Sequence, residues 1–193
     1  MKVFLSLGML IFSCHSMAVS IQSRAKFKAQ LGFGITNVSA TTKATDDTTT
    51  ASSTQFTQIE IRPTLIFFPT TRLAMAIYYF QTSLGDYSTS GFGANGRWYY
   101  LGRGTIEESF IDNKKISMTP TFAPYVEFGI KQQSFEAETI NIKYSGFEVG
   151  LGTDWHLKNS YYLNFALQIG SLASGASRTV LSQSLLVAVG RAF

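Results

Sequence analysis

Hydrophobic and polar residues alternate along most of this chain with a period of two. In the last segment, 180–193, Phe193, Val189 and Val187 share one row, whereas the other row holds small residues such as Ala188. A period of two predicts a β-strand whose two faces have different surroundings. A long strand of this kind needs partners for its edges, and we expect it to pair with the first strand and close a barrel.

The same alternation recurs in earlier segments that are separated by turn or loop sequences. The eight predicted strands are 26–38, 55–68, 72–82, 97–107, 116–131, 142–157, 161–170 and 180–193. The predicted long polar connections are 39–54, 83–96, 132–141 and 171–179, and they alternate with shorter ones. In an up-and-down barrel, alternate connections lie at opposite ends, so one end should carry long loops and the other short turns. The predicted fold class is therefore all-β, an eight-stranded antiparallel up-and-down transmembrane β-barrel.

The apolar rows favour a membrane barrel over a soluble one. They are almost free of charge over about ten residues, the length of a tilted membrane strand. Charged residues make up 15% of the chain, compared with about 25% in typical soluble domains. Aromatic residues gather near strand ends, with Trp98 expected on the long-loop side and Trp155 on the turn side. A lipocalin-like secreted barrel and a soluble sandwich have the same period and are the alternatives.

Residues 1–18 have the pattern of a secretory signal peptide. Lys2 is followed by a short apolar stretch and then by a small-x-small exit. We expect cleavage after Ala18, which leaves a single barrel domain at 19–193. Cys14 is the one cysteine, and its surroundings loosely resemble a lipoprotein box, so lipid attachment at Cys14 is the alternative.

Charge and metal-binding residues exclude some classes of function. Loss of Lys2 with the signal peptide leaves 15 of the 16 basic residues against 12 acidic ones, and the net charge falls from +4 to +3. This charge is small and scattered, so no nucleic-acid partner is predicted. The expected mature chain has no cysteine and one histidine, so we predict no metal site, and nothing indicates a cofactor.

The whole expected mature chain resembles the small outer-membrane barrels of the OmpA/OmpX type. The terminal signature of that family is an aromatic end residue preceded by alternate apolar residues, and Phe193, Val189 and Val187 match it. The resemblance implies insertion by the barrel-assembly machinery of a Gram-negative-type outer membrane. It also implies a monomer with periplasmic termini, in contact with membrane lipid and lipopolysaccharide. Arg191 departs from the pattern, but near the interface its guanidinium group can reach water.

Charged residues on the row opposite the apolar one should point into the lumen. We expect an ion-pair network there, because unpaired buried charges are costly. Its predicted members are Glu60, Arg62, Arg103, Glu127 and Glu148. Two interpretations remain open at this point, since such a network either fills the lumen as polar packing or acts as the gate of a small pore.

Some small outer-membrane barrels are lipid A acyltransferases or deacylases, which use a histidine with a serine and a carboxylate near the outer leaflet. His156 should instead face inward at the periplasmic end beside Asp154, so the two are predicted as a lower lumen polar group. No catalytic residue is assigned. We expect a non-enzymatic protein with a structural or surface-interaction role, whose long loops contact an extracellular ligand. A lipid A-modifying enzyme and a small gated pore are the alternative functions.

Overall fold

The structure is a computed structural model that describes residues 17–19, 26–42, 52–84, 87–101, 108–111, 114–120, 122–137, 140–157, 160–175 and 178–193. No helix in these ranges is long and apolar enough to cross a membrane. The strands are β1 (Met17–Val19), β2 (Phe27–Thr42), β3 (Ser52–Phe67), β4 (Leu73–Leu84), β5 (Tyr87–Tyr99), β6 (Glu108–Ile111), β7 (Lys114–Pro120), β8 (Phe122–Ala137), β9 (Ile140–His156), β10 (Tyr161–Ser174) and β11 (Arg178–Ala192).

Eight of these strands form a closed antiparallel barrel in the order β10-β11-β2-β3-β4-β5-β8-β9. Each barrel strand pairs with the barrel strands before and after it in the chain, so the predicted up-and-down topology is confirmed. β11 pairs with β2 from Arg178 opposite Thr42 to Ala192 opposite Lys28, which confirms closure by the last and first strands. Closure removes the free strand edges that an open sheet would expose.

The barrel wall is apolar outside and polar inside. Along β10, Leu167 is 49% exposed and its neighbour Gln168 is 2% exposed. Each barrel strand presents large apolar side chains outward, such as Phe33, Leu65, Ile77, Phe92, Phe128, Leu151, Leu167 and Val189. An apolar surface around the whole circumference requires a lipid environment. This arrangement excludes a secreted calyx, whose interior would be apolar and whose exterior would be wet.

The connections differ from the predicted alternation of long loops and short turns. We call the end of the barrel that holds Lys26 and Phe193 the terminal end, and the opposite end the far end. At the far end, β4 joins β5 through 85–86 and β8 joins β9 through 138–139. The longest connection, 100–121, lies at the terminal end and carries β6 and β7. The prediction that all long connections share the far end is therefore wrong.

β5 (Tyr87–Tyr99) occupies most of the predicted loop 83–96, and the predicted fourth strand 97–107 is wrong. The glycines and serines of this stretch indicated a loop. However, Gly91 and Gly93 lie on the inward row, where aromatic rings of β4 fill the space next to them. Glycine in this strand is required by close packing rather than by a turn.

The predicted loop 132–141 is also wrong, because β8 and β9 stay paired as far as Ala137 opposite Ile140. The predicted fifth strand 116–131 starts too early, because β8 begins only at Phe122. Residues 114–120 form β7, which pairs with β6 and β1 in a separate small sheet. The far half of β8 contains Lys131 and neighbouring glutamines. Because this part of the strand is polar, the sequence pattern did not predict that the strand continues beyond the apolar belt.

The strands also extend into the predicted loops 39–54 and 171–179. β2 continues to Thr42 and β3 begins at Ser52, and their polar residues remain in register. Beyond the lipid both faces of a strand meet water, so the apolar-polar alternation ends although the ladder continues. Only 43–51 of the first predicted loop lies between strands, and β10 and β11 extend in the same way.

The aromatic belt is most complete at the terminal end. Its exposed members are Trp98, Trp155, Tyr161 and Phe193. The predicted place of Trp98 on the far side is wrong, because β5 runs toward the terminal end and Trp98 lies opposite Leu73 at the start of β4. The predicted place of Trp155 on the turn side is confirmed, since it pairs with Phe122 at the start of β8.

The predicted cleavage site after Ala18 lies in β1, where Ala18 pairs with Thr119 of β7. This pairing belongs to the uncleaved chain. Signal-peptide cleavage after Ala18 stays a prediction. Lipid attachment at Cys14 also stays a prediction, and Cys14 lies outside the described residues.

Candidate functional site in the barrel lumen

The lumen contains charged side chains of both signs that are at most 4% exposed. They are Lys28, Glu60, Arg62, Arg97, Glu127, Lys131, Glu148 and Asp154. Four are cations and four are carboxylates, so this set is electrically balanced. The alternation of the wall places them there, because each lies on the row opposite the lipid-facing residues.

A chain of hydrogen bonds crosses the centre of the lumen. Arg62 Nε donates to Glu60 Oε1 at 2.5 Å, and Arg62 Nη1 donates to Gln168 Oε1. Gln168 Nε2 donates to Glu127 Oε1 at 2.5 Å. Glu127 Oε2 accepts from Arg97 Nε at 2.8 Å. The chain links β3, β10, β8 and β5, and thereby ties opposite sides of the barrel together.

Glu148 forms a second group next to this chain. Its Oε1 accepts hydrogen bonds from the Tyr78 hydroxyl and from Asn95 Nδ2, each at 2.8 Å. Lys131 Nζ lies 3.8 Å from Glu148 Oε2. Hydrogen bonds to a charged acceptor are stronger than those between neutral groups, so these donors offset part of the hydration that Glu148 loses.

Asp154 forms a third group, at the terminal end of the lumen. Lys28 Nζ lies 2.6 Å from Asp154 Oδ2 and 3.3 Å from His156 Nε2. Asp154 also accepts hydrogen bonds from the Tyr99 hydroxyl at 3.1 Å and from Asn164 Nδ2 at 2.8 Å. The lower lumen polar group predicted from Asp154 and His156 is thus built around a lysine.

Each of the four buried cations also lies over an aromatic ring. The distances to the ring centroids are 4.5 Å from Lys28 Nζ to Tyr162, 4.3 Å from Arg62 Cζ to Tyr78, 4.6 Å from Arg97 Cζ to Tyr125 and 4.3 Å from Lys131 Nζ to Phe80. Cation–π attraction is strongest where water is excluded. The rings therefore stabilise the cations in a space that water scarcely reaches.

These four rings fit into the lumen because a glycine lies opposite each of them in the ladder. The pairs are Tyr78 with Gly93, Phe80 with Gly91, Tyr125 with Gly152 and Tyr162 with Gly190. A Cβ atom placed on Gly93, Gly152 or Gly190 would lie 2.3 Å from an atom of the facing tyrosine ring. A narrow eight-stranded barrel is filled by such pairs of a large and a minimal residue.

Apolar side chains form a cluster at each end of the lumen. At the far end the cluster contains Val38, Tyr144, Leu172 and Val180. At the terminal end it contains Ile66, Phe68, Ala74, Ala76, Tyr99, Ala123 and Tyr125. The terminal cluster packs among the charged groups, since the Tyr99 hydroxyl donates to Asp154 and Lys28 Nζ lies 5.1 Å from the Phe68 ring centroid. The eight charged side chains are at most 4% exposed, so they are largely shielded from water.

The structure brings together four of the five residues predicted for the lumen network. Glu60, Arg62 and Glu127 belong to the central chain, and Glu148 lies next to it. Arg103 lies outside the described residues. Within those residues, no group of three or more His, Cys, Asp or Glu side chains could hold a metal ion.

Sequence reasoning missed Lys28, Arg97 and Lys131 as members of the network. Lys28 shares the inward row of β2 with Gln30, so the period-two pattern contained the signal for it. Arg97 and Lys131 belong to strands whose bounds were predicted wrongly. The glutamine and tyrosine partners gave no signal, because a polar residue on an inward row does not by itself indicate which residue lies across the lumen.

The predicted assembly signal lies at the end of β11. Val187, Val189 and Phe193 are exposed on the outer row, and Phe193 N–H donates to Phe27 O at 2.9 Å. The Arg191 guanidinium carbon lies 5.4 Å from the Phe193 ring centroid and 5.6 Å from that of Tyr161. Arg191 is therefore accommodated among the aromatic residues of the terminal belt, as an interfacial arginine can be.

Comparison of the sequence with protein-family models and with curated proteins found no match. Among solved structures, the chain is similar to Neisserial surface protein A, with a TM-score of 0.57 and 12% identity over 89% of this chain and 100% of that one. The N-terminal barrel domain of OprF from Pseudomonas aeruginosa gives a TM-score of 0.55 and 10% identity over 88% of this chain and 98% of that one. The outer membrane protein OprG from the same organism gives a TM-score of 0.55 and 15% identity over 90% of this chain and 99% of that one. The chain thus has the fold of small outer-membrane barrels, as its resemblance to the OmpA/OmpX type predicted.

Proposed function

We propose that this protein is a non-enzymatic outer-membrane barrel with a structural role and a closed lumen. The observation that carries the proposal is the lumen itself, in which each of the eight buried charges among the described residues lies near an opposite charge and is at most 4% exposed. Hydrogen-bonded polar networks of this kind rigidify a fold, and the bonds here join strands across the lumen, although Arg62 Nη2, Arg97 Nη1 and Asn95 Oδ1 have no hydrogen-bond partner. The network therefore serves as permanent filling of the lumen, and we expect the barrel to act as a monomer.

The proposed orientation places the terminal end in the periplasm and the far end at the cell surface. Cleavage after Ala18 would leave the mature N-terminus on the side from which the barrel inserts, and Phe193 would meet the barrel-assembly machinery there. The polar ends of β2 and β3, at Thr42 and Ser52, then project beyond the outer leaflet with its lipopolysaccharide. These projecting strands, together with 43–51, replace the predicted long loops as the surface for an extracellular ligand.

The gated pore is the alternative that the lumen opposes most directly. Opening would require movement of Gln168, which is hydrogen-bonded to both Arg62 and Glu127, and displacement of an apolar cluster. In planar bilayers the purified barrel should therefore give no discrete conductance steps under an applied potential. Reproducible steps that change when Arg62 is replaced by glutamine would establish a gate and overturn the closed-lumen proposal.

The contacts of His156 favour a structural role over lipid A modification. His156 lies beside Lys28 and Asp154 at the terminal end, which is periplasmic in the proposed orientation and distant from lipid A. The mass spectrum of lipid A should be the same in cells with and without the protein. A mass difference of one acyl chain that disappears with the His156→Ala variant would instead show an enzyme.

A further inference from the structure

The longest connection of the chain, 100–121, divides the barrel strands into two groups of four. We call β2 to β5 the N-terminal half and β8 to β11 the C-terminal half. The strands of each half are neighbours in the barrel, so the halves meet along two seams, between β5 and β8 and between β11 and β2. The inner faces of the two halves meet in the lumen.

The eight buried charged side chains are divided unequally between the halves. The N-terminal half holds three cations and one carboxylate, namely Lys28, Arg62, Arg97 and Glu60. The C-terminal half holds three carboxylates and one cation, namely Glu127, Glu148, Asp154 and Lys131. Their net lumen charges are therefore +2 and −2. If the division between four and four neighbouring strands is moved around the barrel, the net charge of each part falls to one unit.

Each half contains one ion pair of its own. In the N-terminal half, Arg62 Nε lies 2.5 Å from Glu60 Oε1. In the C-terminal half, Lys131 Nζ lies 3.8 Å from Glu148 Oε2. These pairs are neutral, so they leave two cations in excess in the first half and two carboxylates in excess in the second.

The excess charges pair between the halves. Lys28 Nζ lies 2.6 Å from Asp154 Oδ2, and Arg97 Nε lies 2.8 Å from Glu127 Oε2. Arg97 and Glu127 are direct partners in the ladder at the seam of β5 and β8. Lys28 of β2 reaches Asp154 of β9 across the terminal end of the lumen. The excess charge of each half is thus neutralised only by the other half.

Hydrogen bonds from neutral donors follow the same direction. The Tyr78 hydroxyl and Asn95 Nδ2 of the N-terminal half donate to Glu148 at 2.8 Å, and the Tyr99 hydroxyl donates to Asp154 at 3.1 Å. Among the described residues fewer bonds run the other way, such as those from the Tyr162 hydroxyl to Gln30 and from Ser184 Oγ to Glu60. The N-terminal half therefore presents mainly donors, and the C-terminal half presents the carboxylates that accept from them.

We infer that the inner faces of the two halves are complementary assembly surfaces, each of which selects the opposite half as its partner over a like half of a second copy. Two N-terminal halves would bring Lys28 and Arg97 of one copy toward the same cations of the other. Such like-charge contacts are costly and suppress wrong partners. Exchange of identical elements between copies is a common route to dimers, and the charges of the lumen oppose a barrel that is closed by two like halves.

The test uses full chains in which two lumen charges are reversed, each refolded in detergent micelles. In the variant with Lys28→Glu and Arg97→Glu both halves are negative, and in the variant with Glu127→Arg and Asp154→Lys both are positive. We expect neither variant alone to give a heat-shifted electrophoretic band of monomer size. Refolded together, they should give a heat-shifted species that contains one copy of each, because each half then finds an oppositely charged half on the other chain. Mass spectrometry of the excised band identifies both chains.

Two further variants separate charge from other effects. The chain that carries all four substitutions has opposite signs in its halves again, and it should refold as a monomer with a heat-shifted band. The matched control is Lys26→Glu with Arg72→Glu, which reverses two exposed cations beside β2 and β4 and changes the charge of the chain as much as Lys28→Glu with Arg97→Glu does. This control should refold as the wild type does.

Three results would overturn the inference. Heat-shifted monomers of both lumen variants would mean that the charges do not select the partner of a half. Loss of the heat-shifted band in the fourfold variant would mean that these side chains are needed for their individual shapes, whatever their sign. A mixture of the two lumen variants without the mixed dimer would mean that a half does not recognise an oppositely charged half on another chain.

Discussion

Leu167 and Gln168 are neighbours in β10, and they show how differently the two rows of the wall are constrained. Leu167 is 49% exposed and lies between Leu151 and Leu185 on the neighbouring strands. Gln168 is 2% exposed and joins Arg62 to Glu127 by hydrogen bonds of defined geometry. The outer residue needs only to be apolar, whereas the inner residue needs a particular shape and particular donors and acceptors.

This difference follows from the two surroundings. Lipid chains adapt to any apolar side chain, so an outer residue has no unique partner. The lumen of an eight-stranded barrel is narrow, and each inner residue must match the residues across it in size, charge and hydrogen bonding. We therefore expect inner substitutions to depend on their specific partners, and outer substitutions to depend on polarity alone.

Arg62→Leu should have the largest effect, because it leaves Glu60 buried without its nearest cation. Removal of one partner of a buried ion pair destabilises a protein by about 3–5 kcal/mol. The measurement is urea-induced unfolding in detergent micelles, followed by tryptophan fluorescence. Arg72→Leu is the control, since Arg72 is exposed at the terminal end and its loss should change stability by about 0.5 kcal/mol or less. Equal unfolding midpoints for the two variants would contradict the structural role of the network.

Leu167→Arg tests the outer row at mid-strand. An arginine on the lipid face near the bilayer centre destabilises membrane barrels by about 2–4 kcal/mol. Leu167→Ile keeps the surface apolar and should cost less than about 1.5 kcal/mol. Unfolding must be measured in phospholipid vesicles, where the bilayer sets the environment of this residue. If arginine and isoleucine are equally tolerated in vesicles, this face of β10 does not contact lipid.

The outer row is also the part of the molecule that the sequence predicts best. Eight strands, their antiparallel order and the closure of β11 on β2 follow from alternating apolar residues such as Leu31 and Val189. The strand bounds were predicted less well where they depend on the residues of the inner row. Most of β5 was predicted as a loop because glycine is common in turns. Gly91 and Gly93 instead make room for aromatic rings of β4.

The candidate site illustrates the same limit. Glu60 and Arg62 could be assigned to the lumen from alternation alone, but their partner Gln168 lies on a strand far away in the sequence. Which residues meet across the lumen depends on the stagger of all eight strands, and the sequence pattern does not specify that stagger. The β3–β4 ladder is also interrupted beside Pro63, because Ile61 pairs with Gln81 and Thr64 with Tyr78 but the residues between them are unpaired. The sequence does not predict this interruption, since a proline on an apolar row looks like any other outer residue.

Gly93→Val and Gly96→Val compare the two rows within one strand, with the smallest expected effects. A Cβ atom at Gly93 would lie 2.3 Å from the Tyr78 ring, whereas one at Gly96 would meet only the Phe128 carbonyl oxygen, at 3.8 Å. Overpacking of this kind costs about 1–3 kcal/mol, so Gly93→Val should lower the unfolding free energy in micelles by that amount, and Gly96→Val should leave it nearly unchanged. The added Cβ would also lie 2.8 Å from the Ile130 carbonyl oxygen, so the ring accounts for part of the cost, and Gly93→Val should be less damaging in a Tyr78→Ala background than in the wild type. Equal losses in both backgrounds would mean that the cost arises from the Ile130 carbonyl alone, and that the pairing of rings with glycines does not set the packing of the lumen.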